Sequence, residues 1–248
     1  MEETGKNPIQ VAERLFQVIE RLAENGPMGI MDLSAELGFH KSTTHRLVTS
    51  LQYMGYIRQD EESLKYALSL KFLEIGSKIL EQTNMASLIH PSLKKLSEQT
   101  GETVHLVRRE GTEAVYIDKV ESTVSSIRMV SRVGSRIPLY CSGVGKALLA
   151  ELPDPEIEDI WNSSEITSLT PYTVTSLSDL MDRIRGVREA GYAMDDEENE
   201  EGVRCIAVSI PDYHKEPVYA LSISAPVSRM TDARIAELST DEIGRAHV

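Results

Sequence analysis

The sequence predicts an α+β protein built from two parts, an N-terminal winged helix-turn-helix and a C-terminal domain with one antiparallel sheet. Two observations lead to this class. Between residues 30 and 53, apolar side chains recur at helical spacing on both sides of Gly38, which indicates two short helices joined by a turn. From residue 101 onward, alternating apolar runs are interspersed with helical patterns and turn residues, a mixture typical of α+β domains.

The N-terminal part contains a further helix and a hairpin in addition to the helix-turn-helix. Residues 8–25 form an amphipathic helical pattern that ends at Gly26 and Pro27. Residues 55–59 and 64–68 alternate like two strands around a polar turn. Helix, turn, helix and hairpin in this order make a winged helix-turn-helix.

Residues 41–53, the second helix of the predicted helix-turn-helix, have the features of a DNA-recognition helix. Leu47, Val48 and Leu51 can close the core behind it, which leaves hydroxyl and cationic side chains near its amino end. Hydroxyl groups allow close approach to a duplex, and cations contact phosphates and base edges. No acidic residue occurs from residue 37 through residue 59. The candidate DNA contacts, with two cations of the hairpin included, are Lys41, Ser42, Thr43, Thr44, His45, Arg46, Arg58 and Lys65.

An ordinary pair of surface helices joined by a glycine would show the same apolar pattern. The hairpin and the window without acids favour the DNA interpretation. The chain as a whole is acidic, with 26 Lys+Arg against 39 Asp+Glu and a formal net charge of −13, which argues against a general nucleic-acid binder. We therefore expect the basic window to act as a local patch, while the acidic bulk discourages nonspecific binding to DNA.

Cysteine and histidine usage gives no sign of a metal site or a disulfide framework. Cys141 and Cys205 are the two cysteines, and no CxxC or clustered His/Cys spacing occurs. We predict no cofactor and no metal. The polar amino end does not resemble a signal peptide, and no apolar run approaches the length of a membrane span. The expected location is the cytoplasm.

A helical linker is predicted between the two parts. Residues 69–82 and 86–100 have helical patterns, and the boundary between the parts is expected near residues 82–84. Pro91 is expected to kink or interrupt the second helix, and Gly101 to end it. The resulting division is residues 1–75 for the winged helix-turn-helix, 76–100 for the linker and 101–248 for the second domain.

The second domain shows cap signals as well as strand patterns. Ser142 and Ser176 stand where helix caps are expected, Asp154 is a cap with Pro155 at the first helical position, and Gly191 ends a helix. The predicted helices are residues 142–151, a helix from 154, 176–190 and a helix from 231. The predicted strands are residues 103–109, 114–120, 126–133, 192–195, 203–210 and 218–225, the last two joined by a turn at 212–217.

The last six residues, 243–248, read Ile-Gly-Arg-Ala-His-Val, which the start of a widely used sequencing adapter encodes. We expect this tail to be read-through and the native gene to continue in frame past Asp241. A natural stop codon at that point in the source DNA would contradict the expectation.

Four stretches together resemble the IclR-type bacterial transcriptional regulators: KSTTHRLVTSLQYMGYI, KYALSLKFLEIG, GSRIPLYCSGVGKALLA, and GYAMDDEENEEGVRCIAVSI followed by ALSISAP. The resemblance implies a winged helix, a helical linker and an effector domain similar to the GAF/profilin-like fold. Family members typically dimerise through their DNA-binding domains, often pair again into tetramers, and respond to small carboxylates or aromatic acids. ETVHL, SSIRMVSRVGSR and GVRCIAV look most like the KdgR branch, which controls the catabolism of pectin-derived sugar acids.

The resemblance also implies an effector pocket in the second domain. The backbone amides at the helix start after Ser142 offer a seat for a carboxylate, and Asp195 would accept hydrogen bonds from ligand hydroxyls. Ser222 and Ser224 alternate onto one face of a strand, although strand packing or solvent exposure explains them equally well. The implied pocket residues are Met129, Ile137, Gly143, Val144, Asp195, Val203, Cys205, Ser222 and Ser224.

The function that the resemblance implies is a ligand-responsive repressor of a carbohydrate or sugar acid catabolic operon. Its partners would be operator double-stranded DNA, further copies of the chain and a small 2-oxo acid such as 2-keto-3-deoxygluconate. A regulator of the same family that senses glyoxylate, pyruvate or an aromatic acid is the alternative.

An enzyme is the rival functional class. GVGKAL superficially resembles a nucleotide-binding P-loop, but Tyr140 and Ala147 stand where the motif needs Gly and Ser or Thr. Cys205 as a nucleophile would need a paired base that the sequence does not indicate. Residues 195–201 could bind a cation through their carboxylates, yet a solvated acidic loop is the commoner arrangement. No catalytic residue is therefore predicted.

Overall fold

A computed structural model of the chain describes residues 9–82, 84–122, 131–211 and 216–241. The chain divides into two compact units, and the division falls after Gln82. The helix-turn-helix lies in the first unit and the large sheet in the second. Among the described residues, every helix is too short or too polar to span a membrane.

In its described part, residues 9–82, the first unit contains four helices and a two-stranded hairpin. They are α1 (Gln10–Asn25), α2 (Ile30–Leu37), α3 (Lys41–Tyr53), β1 (Ile57–Gln59), β2 (Tyr66–Leu68) and α4 (Lys71–Gln82). Val18, Leu33 and Val48 are buried and join α1, α2 and α3 into one core, as the apolar periodicity predicts. Gly38 ends α2 with a left-handed φ of 65°, which glycine adopts without a Cβ penalty, and so makes the turn into α3.

The hairpin packs one of its faces on these helices. Ile57 pairs with Leu68, and Gln59 pairs with Tyr66. Ile57 of β1 and Tyr66 of β2 are buried in the core with the helices. Arg58, the residue after Ile57, points to the other face of the hairpin and is exposed. The predicted winged helix-turn-helix is confirmed.

Among the described residues of the second unit, six strands form one antiparallel sheet that organises the unit. Its helices are α5 (Asn84–Thr100), α6 (Gly143–Ala150), α7 (Asp154–Ser163), α8 (Leu177–Ala190) and α9 (Asp232–Asp241). Its strands are β3 (Thr103–Glu110), β4 (Glu113–Val120), β5 (Arg136–Pro138), β6 (Ala193–Asp196), β7 (Val203–Ile210) and β8 (Tyr219–Pro226). The order across the sheet is β5-β4-β3-β8-β7-β6, with every neighbouring pair antiparallel. The predicted α+β class with one antiparallel sheet is confirmed.

The two faces of this sheet carry separate cores. Leu106 and Ile206 belong to the core that includes residues of α5 and α9. Val107 and Ala207, one position further along each strand, belong to the core that includes residues of α6, α7 and α8. Strand side chains alternate between faces, and Ser222 pairs with Ala207 across β7 and β8. Cys205 and the serines of β7 and β8 therefore lie on the α6 face.

Two of the three predicted amino-terminal helix caps are confirmed and one is wrong, and Gly191 ends α8 as predicted. Ser142 and Ser176 each accept a hydrogen bond, at 3.1 and 3.2 Å, from the amide three residues later. Asp154, the predicted cap of α7, is already the first helical residue, and Pro153 takes the cap position instead. Pro155 then occupies the second helical position, where its missing N–H is not needed.

The regions around Pro91 and β5 also differ from the prediction. α5 continues unbroken through Pro91, with Leu93 fully buried in the core, so the predicted interruption does not occur. Residues 131–133, the described part of the predicted strand 126–133, are not in a strand. The edge strand is β5 instead, in which Ile137 pairs with Ala114. The predictions for Met129, for residues 126–130 and 212–215, and for the tail at 243–248 fall outside the described residues.

Candidate functional site

The amino-terminal turn of α3 presents most of the predicted DNA-contacting side chains to solvent. Lys41, Ser42, His45 and Arg46 are exposed, and Thr43 is half-buried. The first turn contains no acidic residue. Its leading amides have no intrahelical acceptor, and the helix dipole is positive at this end. These features together suit an approaching phosphate.

Thr44 is the exception in this helix. Its side chain is fully buried, and its Oγ1 donates a hydrogen bond to the carbonyl oxygen of His40 at 3.4 Å. It lies one helical turn before Val48, on the face that packs into the core. The prediction of Thr44 as a DNA contact is therefore wrong, because the helical period turns it inward.

The hairpin carries cations on its flanks and acids at its tip. Arg58 and Lys65 are exposed on either side of the exposed residues 60–62, which are Asp-Glu-Glu. The amide and the hydroxyl of Ser63 donate hydrogen bonds to Asp60 at 2.8 and 2.7 Å and hold its pKa below the usual value. A negatively charged tip repels phosphates, so the flanks of the hairpin are the parts suited to a DNA backbone.

A cavity of about 360 Å³ lies on the α6 face of the large sheet. Its wall is formed by residues of β3, β4, β5, β7 and β8, by the start of α6, and by β6 with the loop that follows it. The predicted pocket residues come together here, apart from Met129, which is outside the described residues. They are Ile137, Gly143, Val144, Asp195, Val203, Cys205, Ser222 and Ser224.

Much of the polar wall was not predicted from the sequence. The further lining residues are His105, Tyr116, Ser131, Ser135, Arg136, Ser142, Asn199 and Glu200. For His105 a signal was available, since Val104 and Leu106 on either side of it are aliphatic, and alternation places it on the opposite face. The pairing of His105 with Ser222 across β3 and β8 depends on a strand register that sequence alone does not fix.

His105 is the centre of a hydrogen-bonding cluster at one end of the cavity. Its Nε2 lies 2.7 Å from Oγ of Ser131, and its Nδ1 lies 3.5 Å from Oγ of Ser222 and 3.4 Å from Oγ of Ser224. Burial, with a smaller effect from the Lys119 ammonium, lowers the pKa of His105 to about 3. The imidazole is therefore neutral at physiological pH, with one nitrogen donating and the other accepting.

The start of α6 packs so tightly that only glycine fits at two of its positions. A Cβ atom on Gly143 would lie 2.9 Å from Sγ of Cys205, and one on Gly145 would lie 2.2 Å from the carbonyl oxygen of Leu139. The amide of Gly145 is already bonded to the Ser142 hydroxyl, and Gly143 packs closely against the sulfur of Cys205. The amide of Val144 is therefore the best placed of the three to meet a ligand.

Asp195 lies in the cavity wall with its carboxylate partly engaged. Its Oδ1 accepts hydrogen bonds from the amides of Glu198 at 2.8 Å and Asn199 at 3.3 Å. Burial raises the pKa of Asp195 to about 6, and the nearby Lys146 ammonium opposes this shift. Burial also raises the pKa of the Cys205 thiol, so a thiolate nucleophile has no support here.

The loop after β6 is less solvated than its acidic sequence predicts. Asp195 and Glu198 are buried, and Oε2 of Glu197 accepts a hydrogen bond from the amide of Gly202 at 2.9 Å. Within the described ranges, no group of three or more acidic, histidine or cysteine side chains is arranged to hold a metal ion. The carboxylates of Asp195, Glu197 and Glu198 serve the internal structure of this region, because their partners are amides of the loop and a lysine.

A winged helix-turn-helix unit together with a separate unit that contains a polar cavity defines a ligand-responsive regulator of transcription. Comparison with protein families gives this class a family: the IclR helix-turn-helix domain matches residues 11–61, and the bacterial transcriptional regulator IclR C-terminal domain matches residues 77–243. The chain belongs to the IclR family, as the resemblance predicted. It is accordingly a DNA-binding transcriptional repressor of that family and not an enzyme.

Relatives and a solved structure agree with this assignment. The acetate operon repressor of Salmonella typhimurium is 37% identical over 233 residues, which cover 93% of this chain and 85% of the relative. The regulator KdgR of Escherichia coli is 37% identical over 234 residues, which cover 94% and 89%. The crystal structure of the Thermotoga maritima IclR matches with a TM-score of 0.79 and 32% identity, over 96% of this chain and 95% of that chain. KdgR is thus among the similar proteins. Because the acetate operon repressor is identical to this chain to the same degree, sequence identity does not indicate which kind of effector this chain binds.

Proposed function

We propose that this protein represses a sugar acid catabolic operon and that a 2-keto-3-deoxy sugar acid, such as 2-keto-3-deoxygluconate, binds in the cavity of the second unit. The observation that carries this proposal is the composition of the cavity wall. Hydroxyls, a neutral imidazole, an amide and two carboxylates surround the space, and such groups exchange hydrogen bonds with a polyhydroxylated ligand.

The volume of the cavity supports a ligand of sugar size. At about 360 Å³ it falls at the lower end of the roughly 300–1,000 Å³ typical of small-molecule sites. Glyoxylate and pyruvate, with two and three carbons, would leave most of this space to water. An aromatic acid would meet few apolar surfaces, because Tyr116 is the only aromatic side chain among the described lining residues apart from the His105 ring.

The best position for the carboxylate of the ligand in this cavity is the start of α6. The Val144 amide lies in the first turn of α6, where the helix dipole favours negative charge. Arg136 is the one basic side chain among the described lining residues, and it is already paired with Glu110 at 3.0 Å and Glu113 at 3.3 Å. In our proposal the carboxylate therefore lies at the start of α6, and the ligand hydroxyls face His105, Asp195 and the serines of β8.

DNA recognition in this proposal uses a dimer in the cytoplasm, which two dimers can extend to a tetramer. Lys41, Ser42, Thr43, His45 and Arg46 enter the major groove, and Arg58 and Lys65 contact the backbone beside it. Two copies of α3 related by a two-fold axis require a pseudo-palindromic operator. Footprinting that protects one asymmetric half-site would contradict the dimer.

The ligand does not touch the recognition helix in this scheme, so its effect on DNA must pass through the arrangement of the units. Residues 76–100 are the proposed linker for this coupling. A ligand shifts such an equilibrium only by its differential affinity for the two arrangements.

Calorimetric titration with a panel of acids tests the proposal. We expect 2-keto-3-deoxygluconate to bind more tightly than pyruvate, glyoxylate or benzoate. A Ser222→Ala, Ser224→Ala double variant is expected to weaken its binding at least tenfold. Ser209→Ala is the matched control, since this buried serine of β7 bonds to Glu151 outside the cavity. Tighter binding of glyoxylate or pyruvate would instead favour the alternative named above, a regulator of the same family that senses one of these acids.

A further inference from the structure

Lys146 and Glu198 form an ion pair in the interior of the second unit. Nζ of Lys146 lies 2.5 Å from Oε1 of Glu198, and each side chain is only 2% exposed. The sequence drew attention to Lys146 only through a nucleotide-binding motif that it fails to match. Two charges buried so deeply lose their hydration, and a pair of packed apolar side chains is often as stable. Stability alone therefore does not account for this pair.

Glu198 belongs to the loop that forms one wall of the cavity. Its amide donates to Oδ1 of Asp195 at 2.8 Å, and its carbonyl oxygen accepts a hydrogen bond from Oγ1 of Thr173 at 2.6 Å. Glu197, just before it, has a left-handed φ of 61°, which a residue other than glycine keeps only when its surroundings hold it. The two residues that follow Glu198 line the cavity. The loop wall is thus anchored at Glu198.

Lys146 belongs to α6, the start of which forms another part of the cavity wall. It lies three residues, about one turn, after Gly143, which lines the cavity together with Val144. Oε2 of Glu198 is buried and has no hydrogen-bond partner within the described part of the chain. The Lys146 ammonium is therefore the main compensation for the Glu198 carboxylate. This ion pair joins α6 to the loop, in addition to the direct packing of Gly143 against the backbone of Asp195.

We propose that Lys146 is a positioning residue of the effector site. Its ion pair with Glu198 sets the distance between the amide of Val144 and the polar groups of the loop after β6, to which Oδ1 of Asp195 is hydrogen-bonded, so that one ligand can meet both. The inference rests on the proposed function, because it concerns the binding of the same sugar acid in the same cavity.

The test removes both charges at once. We compare wild type with Lys146→Met, Glu198→Met and the double variant, and measure the melting temperature and the dissociation constant of 2-keto-3-deoxygluconate. Each single variant leaves an uncompensated buried charge and is expected to melt at a lower temperature. The double variant is expected to melt within a few degrees of wild type, yet to bind the acid at least tenfold more weakly.

A second ion pair of the same unit supplies the control. Arg229 and Glu102 are 2.6 Å apart and lie outside the cavity wall. An Arg229→Met, Glu102→Met double variant is expected to bind the acid as wild type does. Glu198→Gln, which keeps the volume and an acceptor for the ammonium, is expected to retain more affinity than Glu198→Met. Wild-type affinity in the Lys146→Met, Glu198→Met variant would overturn the proposal.

Amide hydrogen exchange tests, without any ligand, whether the ion pair positions the loop. If the pair positions the loop, the amides of residues 196–202 exchange at least tenfold faster in the Lys146→Met, Glu198→Met variant, while the rest of the sheet stays protected. Unchanged protection of this loop would overturn the inference. Should the double variant unfold, the same comparison is made with Glu198→Gln. Failure of wild type to bind any acid would count against the proposed function alone.

Discussion

Asp195 and Glu198 are joined by a hydrogen bond of 2.8 Å, in which the amide of Glu198 donates to Oδ1 of Asp195. The carboxylate therefore closes its own loop as well as lining the cavity. Its pKa is about 6 in the folded protein against an ordinary value of 3.8, because burial disfavours the charged form. The folded state holds this proton more tightly than the unfolded state does, so the contribution to stability is present at low pH and is lost as the pH rises from about 4 to about 6.

Asp195→Asn removes the ionisation while it keeps an oxygen that can accept the hydrogen bonds of the loop. We expect the free energy of unfolding at pH 7.5 to rise by about 2 to 3 kcal/mol relative to wild type, and the difference to disappear below about pH 4. Urea unfolding at a series of pH values measures it. Asp196→Asn, at an exposed neighbour paired with Arg204, is the control and is expected to change stability by less than about 1 kcal/mol. Destabilisation of Asp195→Asn at pH 7.5 would contradict the account.

His105 gives the opposite dependence on pH. Its pKa is lowered from 6.5 to about 3, so the folded state disfavours protonation, and stability is lost as the pH falls from 6.5 toward 3. His105→Gln cannot take up this proton. Between pH 6 and pH 4 we expect wild type to lose about 1.4 kcal/mol more stability per pH unit than the variant does. Parallel unfolding curves across this range would show that His105 is not a buried neutral group.

The local patterns of the first unit are sufficient to predict its elements, whereas much of the cavity is not predictable. Gly38 and the apolar residues on either side of it determine a turn and two helices within a short stretch of chain. The inward position of Thr44 could also have been predicted from the sequence, since Thr44 stands four residues before the buried Val48. A threonine is a suitable residue type for a DNA contact. At this position, however, the helical period predicts the direction of the side chain better than the residue type does.

Lys146 shows why the rest of the site was missed. Lysine is rarely buried, so a helix rich in small and apolar residues gave no reason to place its ammonium inside. Its partner Glu198 is 52 residues away, in a loop whose acidic sequence resembles a solvated one. β5 was missed for a related reason, since an edge strand of three residues has too few positions to show alternation.

Substitution by alanine is expected to have opposite effects on stability at two glycines of the second unit. Gly145→Ala would place a Cβ atom 2.2 Å from the carbonyl oxygen of Leu139, so α6 must shift. We expect a loss of about 1–3 kcal/mol in stability and weaker binding of the acid. Gly186 lies inside α8, where an added methyl group would have no neighbouring atom within 4 Å, so Gly186→Ala is expected to stabilise by about 0.5–1 kcal/mol. Equal effects at both positions, measured by thermal unfolding, would contradict the packing at the start of α6.

Substitutions of the exposed residues of α3 are expected to weaken operator binding, whereas a substitution of the buried Thr44 is not. Arg46→Ala is expected to weaken binding by about 1–3 kcal/mol if it contacts a base, and Lys41→Ala to lower the slope of log K against log salt by about 0.9. Thr44→Val, which keeps the volume inside the core, is the control and is expected to leave operator affinity unchanged. Gel-shift titrations over a range of salt concentrations measure all three. Wild-type binding by both Arg46→Ala and Lys41→Ala would remove α3 from the recognition role.

In the proposed function, a sugar acid in the cavity changes the affinity of this repressor for its operator. The operator dissociation constant with and without saturating 2-keto-3-deoxygluconate, measured for wild type and for the Ser222→Ala, Ser224→Ala variant, tests this coupling. We expect the acid to change the wild-type constant by about 5- to 150-fold, the usual range of allosteric coupling, and to have little effect on the variant. The same constant with and without the acid in wild type, or an undiminished response in the variant, would contradict the claim.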